Sequence, residues 1–170
     1  KSFYSNMKRK IYQQLCDWKV RRTRKPLLLQ GARQVGKTWL LKEFGRREFR
    51  KSHYINFENA ALFSVIFRNG LKPSSIVSQL SILLNEDIIA DQDLLIFDEI
   101  QNSGEALTSL KYFREDMPEL ALCCAGSHIG LMVSETSFPV GEVEFLTLYP
   151  LTFEEFLMAC DERSARVLSG

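Results

Sequence analysis

The sequence predicts an α/β domain in which a parallel sheet is covered by helices on both faces. Three observations lead there. Apolar runs of strand length alternate with amphipathic stripes of helical period. The runs are apolar at consecutive positions, as strands buried on both faces require. The first run passes through a glycine-rich turn directly into a helical stripe, so a helix N-terminus is presented at one edge of the sheet.

With 170 residues the chain has the length of one domain. A domain of that size buries roughly 68–70% of the surface its unfolded chain exposes, and needs no disulfide or metal to fold. Its 45% hydrophobic and 25% charged residues argue against wholesale disorder. No apolar run approaches the roughly 20 residues of a membrane helix, so no membrane partner is expected. The opening KSFYSNMKRK has no apolar stretch of signal-peptide type. Residues 1–6, ahead of Met7, are set outside the fold as a cloning remnant or an unstructured lead-in, and residues 7–170 are read as the domain.

In chain order, Ile11, Leu15 and Trp18 recur at helical spacing beside Tyr12 and predict a helix over 8–19. Pro26 opens the first strand, Leu27-Leu28-Leu29, bounded by Gly31. A helix is expected from about Gly36 to Phe44, with Gly45 as its stop. His53–Phe57 reads as the second strand and Leu94–Phe97 as the third. Between them Ile76, Leu80, Leu83 and Leu84 mark a helix over 74–84. Asn102-Ser103-Gly104-Glu105 comes close to a capping box for the stripe Ala106, Leu110, Phe113, Met117. Leu120–Ala125 is the fourth strand and Val143–Leu148 the fifth, with the least structured stretch at 131–141. Thr152–Glu155 is a further capping box that opens a last helix.

Cys16, Cys123, Cys124 and Cys160 show no Cys-x-x-Cys spacing. They read as reduced, mostly buried thiols, with Cys123 and Cys124 on opposite faces, which fits a cytoplasmic protein. Two histidines, His53 and His128, do not make a zinc set. Net charge is +1, but residues 1–51 hold 16 Lys/Arg against 3 Asp/Glu and residues 52–170 hold 6 against 18. The densest basic stretch is Lys19–Lys25, and three readings stay open for it. It can hold nucleic-acid phosphates, dock on the acidic half of a neighbouring subunit, or simply be solvated.

Gly31-Ala32-Arg33-Gln34-Val35-Gly36-Lys37-Thr38, followed by Trp39, matches Gly-x-x-x-x-Gly-Lys-Ser/Thr at every fixed position. Glycines let the backbone turn so that successive N–H groups point at phosphate oxygens, and the helix N-terminus behind adds partial positive charge. Residues 31–39 are thus the candidate nucleotide-binding segment. Lys37 is the point charge for the β/γ-phosphates, and Thr38 offers its hydroxyl to Mg²⁺. The variable positions Arg33 and Gln34 receive no separate role.

Leu94–Phe97 closes on Asp98-Glu99. Alone this could be a strand leaving for solvent; behind a complete phosphate loop it reads as a Mg²⁺ site at Asp98 and a general base at Glu99. If the strand persists, the two carboxylates alternate sides. The fourth run ends in Gly126-Ser127-His128, where Ser127 can bond the γ-phosphate or the lytic water, or merely cap a turn.

Several segments then make the chain resemble the bacterial and archaeal AAA-class ATPases, in the subgroup near the STAND and archaeal-ATPase lineages. They are Arg9–Tyr12, Lys25–Thr38 (Walker A), Tyr54–Glu58, Ile96–Gln101 (Walker B), Ala106–Phe113, Ala125–Ser127 and Leu148–Phe156. The resemblance implies a three-layer P-loop NTPase sandwich with a five-stranded parallel sheet of order 5-1-4-3-2. It also implies Mg-ATP as the ligand, hydrolysed to ADP and phosphate, and Ser127 at the sensor position. A glutamate beside the aspartate suits AAA-type enzymes rather than kinases or small GTPases.

Family members continue into a helical lid or winged helix and a domain of restriction-endonuclease type. The resemblance therefore implies that residues 7–170 are the ATPase portion, driving or switching a domain beyond it. Glu142 stands where the family often has a basic residue. An arginine finger is worth roughly 10³–10⁵ in turnover, so slow hydrolysis is expected, with Arg114, Arg163 and Arg166 as substitute candidates. Two other readings remain: a nucleotide switch without significant turnover, and a nucleic-acid module using Lys19–Lys25. The charge split also suggests head-to-tail self-association.

Overall fold

A computed structural model describes residues 11–127 and 141–150. Helix α1 (Ile11–Lys19) leads into β1 (Leu27–Gln30), α2 (Lys37–Glu48) and β2 (Lys51–Asn56). A short 3₁₀ turn (Phe57–Asn59) precedes α3 (Ala60–Arg68) and α4 (Pro73–Leu84). Strand β3 (Asp93–Asp98), a second 3₁₀ turn (Ile100–Asn102), α5 (Gly104–Asp116), β4 (Ala121–Gly126) and β5 (Glu144–Thr147) follow.

The strands form one parallel sheet in the order β2-β3-β4-β1-β5, the expected order read from the other edge. Alternation along each strand sorts the core into two layers. Leu27, Leu29, Leu94, Ile96 and Cys123 face the layer of α1 and α2, where they meet Trp18, Leu41 and Phe44. Leu28, Leu95, Phe97 and Cys124 face α3, α4 and α5 on the other side. Cys123 and Cys124 are free, buried and on opposite faces, whereas Cys16 is only partly buried. On the second side Phe57, Phe67, Phe97 and Phe113 stack edge to face at centroid distances of 5.3–6.2 Å. Such pairs contribute about 0.5–1.5 kcal/mol each beyond their burial.

Several expectations need correction. Gly45 does not stop α2, which runs on to Glu48. A Cβ on Gly45 would lie 2.7 Å from the Cβ of Ser52, so glycine is there to let the helix lie against β2. The second strand is shifted back to Lys51–Asn56, and Phe57 turns off it into the 3₁₀ turn. Helix α3 was not anticipated. Ile76 and Leu80 are buried as expected, but Leu83 is 42% exposed. Ser103, not Asn102, caps α5, its hydroxyl accepting from the Ala106 amide at 3.2 Å. Strand β3 ends at Asp98, and Glu99 takes a left-handed conformation, so the two carboxylates do not simply alternate along a strand. His128, Cys160, Arg163, Arg166, the Thr152–Glu155 box and residues 1–6 lie outside the described residues, as does nearly all of 131–141.

Candidate functional site

Parallel strands bring their C-terminal ends to one edge of the sheet, the edge where open α/β sheets bind ligands. Register places Gln30 opposite Gly126 and Thr147, and Asn56 opposite Asp98. The turn after β1, the carboxylates after β3 and the Gly126-Ser127 tip of β4 therefore share that edge.

The turn is shaped by its backbone. A Cβ on Gly31 would sit 2.3 Å from the carbonyl oxygen of Leu148, whose own N–H donates to the Gln30 carbonyl at 2.7 Å. Gly36 has φ 94° and is the N-cap of α2 without a side chain to cap it. The first-turn amides of α2 are thus left for a ligand. Gln34 also has positive φ, at 62°, which costs a non-glycine residue on the order of 1–3 kcal/mol and is typical of functional turns.

Lys37 opens α2 and is only 6% exposed. Its ammonium folds back onto the turn, donating to the carbonyls of Gly31 at 2.9 Å and Ala32 at 2.7 Å. Burial pulls its pKa below the usual lysine value, and the nearby Glu99 and Asp98 carboxylates work against that pull. Thr38 donates its hydroxyl to Asp98 Oδ2 at 2.7 Å. The same oxygen accepts from the Tyr54 hydroxyl at 2.7 Å, and Asp98 Oδ1 accepts the Glu99 amide at 3.0 Å. Burial, and then the bond to Asp98, push the Tyr54 phenol well above its ordinary value, so it stays a donor. The Lys42 ammonium lies 3.6 Å from the centre of the Tyr54 ring.

A cleft of about 530 Å³ opens at Lys37 and Thr38, while Asp98, 3% exposed, is not among its lining residues and meets it through Thr38. Arg33, Gln34, Gly36, Lys37, Thr38 and Trp39 line one side. Glu58, Glu99, Gln101 and Asn102 line the other. Gly31 and Ala32 contribute through the carbonyls that hold Lys37, and Val35 packs against the α1/α2 core layer. Ser127 is 2% exposed at the β4 tip and is not among the cleft-lining residues. Tyr54, Glu58 and Gln101 carry no site role in the sequence reading, and Asn102 figures there only as a helix cap. A signal existed for the first: alternation puts Tyr54 on the same strand face as Asn56, the residue paired with Asp98.

Other expected residues are engaged elsewhere. Arg114 pairs with Glu142 and is absent from the cleft wall. In the basic stretch, Arg21 pairs with Glu144 at 2.7 Å, Arg24 donates to the Glu119 carbonyl at 2.5 Å, and Lys25 donates to the Gly141 carbonyl at 2.6 Å. Lys19 pairs with Glu48, which ties α1 to the end of α2. Most of these cations brace the chain against itself.

Hard oxygen donors converge where Thr38 meets Asp98. One hydroxyl and one carboxylate, completed by phosphate oxygens and waters, are the set Mg²⁺ prefers, so these residues fit that ion. Among the described residues no group of three or more His, Cys, Asp or Glu side chains forms a metal cluster, and no helix is long and apolar enough to cross a membrane.

A family model described as an AAA domain matches residues 23–157. Among solved structures, PCH-2 of C. elegans superposes with a TM-score of 0.55 at 15% identity, covering 91% of this chain and 47% of that one. AMPPCP-bound DnaA from Aquifex aeolicus gives 0.53 at 16%, covering 92% and 49%. Aeropyrum pernix ORC1 in complex with DNA gives 0.53 at 18%, covering 96% and 49%. The chain thus spans about half the length of these neighbours, and likeness at such identities speaks for the fold. No curated protein matches the chain.

Proposed function

The chain belongs to the AAA-domain family, and on that premise we propose that it binds Mg-ATP in the cleft and hydrolyses it to ADP and phosphate. The observation that carries this reading is the meeting of Thr38 and Asp98 at 2.7 Å beside the buried Lys37 ammonium. The α2 amides and Lys37 would hold the phosphates, with Lys37 exchanging the Gly31 and Ala32 carbonyls for phosphate oxygens. Thr38 and Asp98 would hold Mg²⁺, which supplies charge neutralisation on those oxygens.

Hydrolysis is an in-line displacement. The water oxygen bonds to the γ-phosphorus as the bond to the β–γ bridging oxygen breaks, and that electron pair leaves with ADP. One water proton passes to the Glu99 carboxylate and the other stays on the phosphate released. Glu99 lines the cleft beside Lys37 and so has access to that water. The cycle would drive or switch a further domain, as the family resemblance implies.

A second reading, a nucleotide switch with little turnover, is favoured by one observation: Arg114 is committed to Glu142 rather than to the cleft. The experiment is to measure melting-temperature shifts with ATP, GTP and ADP, each with Mg²⁺, followed by single-turnover phosphate release. A shift with ATP and release of phosphate support the first reading. A shift without release selects the switch, and no shift with any nucleotide overturns both.

A further inference from the structure

We propose that Gln101 is a positioning residue for hydrolysis, holding one oxygen of the Glu99 carboxylate so that the other faces the reacting water. This rests on the hydrolytic reading of the cleft. Gln101 follows Glu99 by two residues, a spacing that in an extended strand would carry the two side chains away along the same face. The chain instead turns back at this point. Glu99 is left-handed, with φ 51° and ψ 41°, and the 3₁₀ turn Ile100–Asn102 follows at once. Ile100 is fully buried, the Asn102 amide donates to the Glu99 carbonyl at 3.0 Å, and the Ser103 amide donates to the Ile100 carbonyl at 3.0 Å. The turn is anchored in the core at its first residue, Ile100, and it delivers the Gln101 side chain onto the Glu99 carboxylate.

The contact is specific in its atoms. Gln101 Nε2 donates to Glu99 Oε2, and Glu99 Oε1 has no hydrogen-bond partner among the described residues. One oxygen is fixed and its twin is left to accept a proton. An amide donor suits this task because it fixes the orientation of the carboxylate through a neutral hydrogen bond.

Stability does not account for the residue. Gln101 Oε1 is buried and has no partner among the described residues. A buried acceptor without a donor is destabilising, and such orphans in folded proteins call for an explanation at the site where they occur. An apolar side chain of similar size would remove that penalty, and Glu99 lies against the open cleft, where water replaces the lost amide. The fold alone would therefore favour leucine or methionine at position 101, and the cleft is what gains from glutamine.

The test compares wild type with Gln101→Leu and Gln101→Met. Melting temperature, affinity for a fluorescent ATP analogue, phosphate release and trapping of ADP with beryllium fluoride or aluminium fluoride are measured for each. The proposal expects both variants to melt no lower than wild type and to bind nucleotide and ADP–beryllium fluoride normally. Phosphate release should fall about 10- to 100-fold with KM unchanged, the range typical when an outer-shell partner is removed. ADP–aluminium fluoride, which mimics the transition state, should be trapped poorly. In a Glu99→Gln background, Gln101→Leu should cost nothing further.

Variants that turn over ATP at the wild-type rate overturn the proposal while leaving the hydrolytic reading intact. Variants that lose activity only in step with melting temperature or nucleotide affinity overturn it too, because the role would then be structural. A wild-type protein that neither releases phosphate nor traps ADP–aluminium fluoride overturns the hydrolytic reading, and the inference falls with it.

Discussion

The Thr38 hydroxyl donates to Asp98 Oδ2 across 60 residues of chain, and that one oxygen accepts the Tyr54 hydroxyl as well, both at 2.7 Å. Two donors on a single carboxylate oxygen tie the start of α2 and the body of β2 to the end of β3. A divalent cation seated there would take the lone pairs these hydrogens now use. Thr38 would turn its hydrogen away and offer oxygen instead, and Tyr54 would remain as the outer partner that keeps Asp98 aimed.

Tyr54→Phe is accordingly expected to act through the metal. Without its hydroxyl Asp98 loses one of three hydrogen bonds, and bonds to charged groups contribute about 1.5–3 kcal/mol where water is excluded. Affinity for ATP in Mg²⁺ should fall roughly 10-fold, while affinity in EDTA should be unchanged. Calorimetric titration under both conditions checks this. An equal loss in both would assign Tyr54 to the fold or to the nucleotide itself.

Lys37→Ala should abolish nucleotide binding without unfolding the chain. The ammonium is buried against two backbone carbonyls, and removing it relieves a desolvated charge even as it leaves those carbonyls unpaired. The two effects oppose each other, so the melting temperature should move by only a few degrees. Isothermal titration with ATP is the decisive measurement, and wild-type affinity would remove Lys37 from the site.

Gly45→Ala separates two readings of a helical glycine. Helix propensity alone predicts a gain of about 0.8–1.0 kcal/mol for alanine in a helix interior. Geometry predicts the reverse, because the new Cβ would lie 2.7 Å from Ser52 Cβ and 3.2 Å from Leu94 Cδ2. Overpacking of that kind costs about 1–3 kcal/mol and should win. Urea unfolding should show a net loss of stability, largely recovered by adding Ser52→Gly.

What the sequence carried, and what it could not, divides along physical lines. Buried parallel strands announce themselves by consecutive apolar residues, so Leu27–Leu29, Leu94–Phe97 and Leu120–Ala125 stand out in the sequence itself. The phosphate turn was visible because its glycines and lysine are local in sequence. Gly45 was misread because a stop and a close approach call for the same residue; only the neighbouring strand distinguishes them. Helix α3 escaped because Phe63, Val65, Ile66 and Phe67 are aromatic or β-branched, residues that suit a strand as well as a helix. Tyr54 and Gln101 escaped for another reason: one reaches Asp98 through the pairing of β2 with β3, and the other reaches Glu99 through a left-handed residue. Neither register nor positive φ at a glutamate is written in residue types.

The far end of the same two strands yields a prediction about pH. Asp93 is fully buried at the start of β3. Burial pushes its carboxyl upward, but it is outweighed by the Arg50 guanidinium at 2.8 and 2.6 Å, the Ile89 amide at 2.9 Å and the His53 imidazole at 3.0 Å. The net effect holds Asp93 below its ordinary value. Glu43, bonded first by Arg46 and then by Arg47 on the surface of α2, is held down to about 2. A carboxylate whose folded pKa is depressed contributes its stability in full above the unfolded value, roughly 3.9–4.3. That contribution is lost as pH falls through the folded value. Urea unfolding should therefore show stability flat with respect to these groups near neutrality and falling from about pH 4.5 downward. Arg50→Ala leaves a buried carboxylate without its main partner. Breaking a fully buried pair costs about 3–5 kcal/mol, but the Arg50 side chain is 42% exposed, so a loss of roughly 2–3 kcal/mol at pH 7 is expected. The double variant Arg50→Ala/Asp93→Asn should recover part of it and show a shallower acid limb. An acid limb of wild-type steepness in that variant would mean that other carboxylates carry the transition.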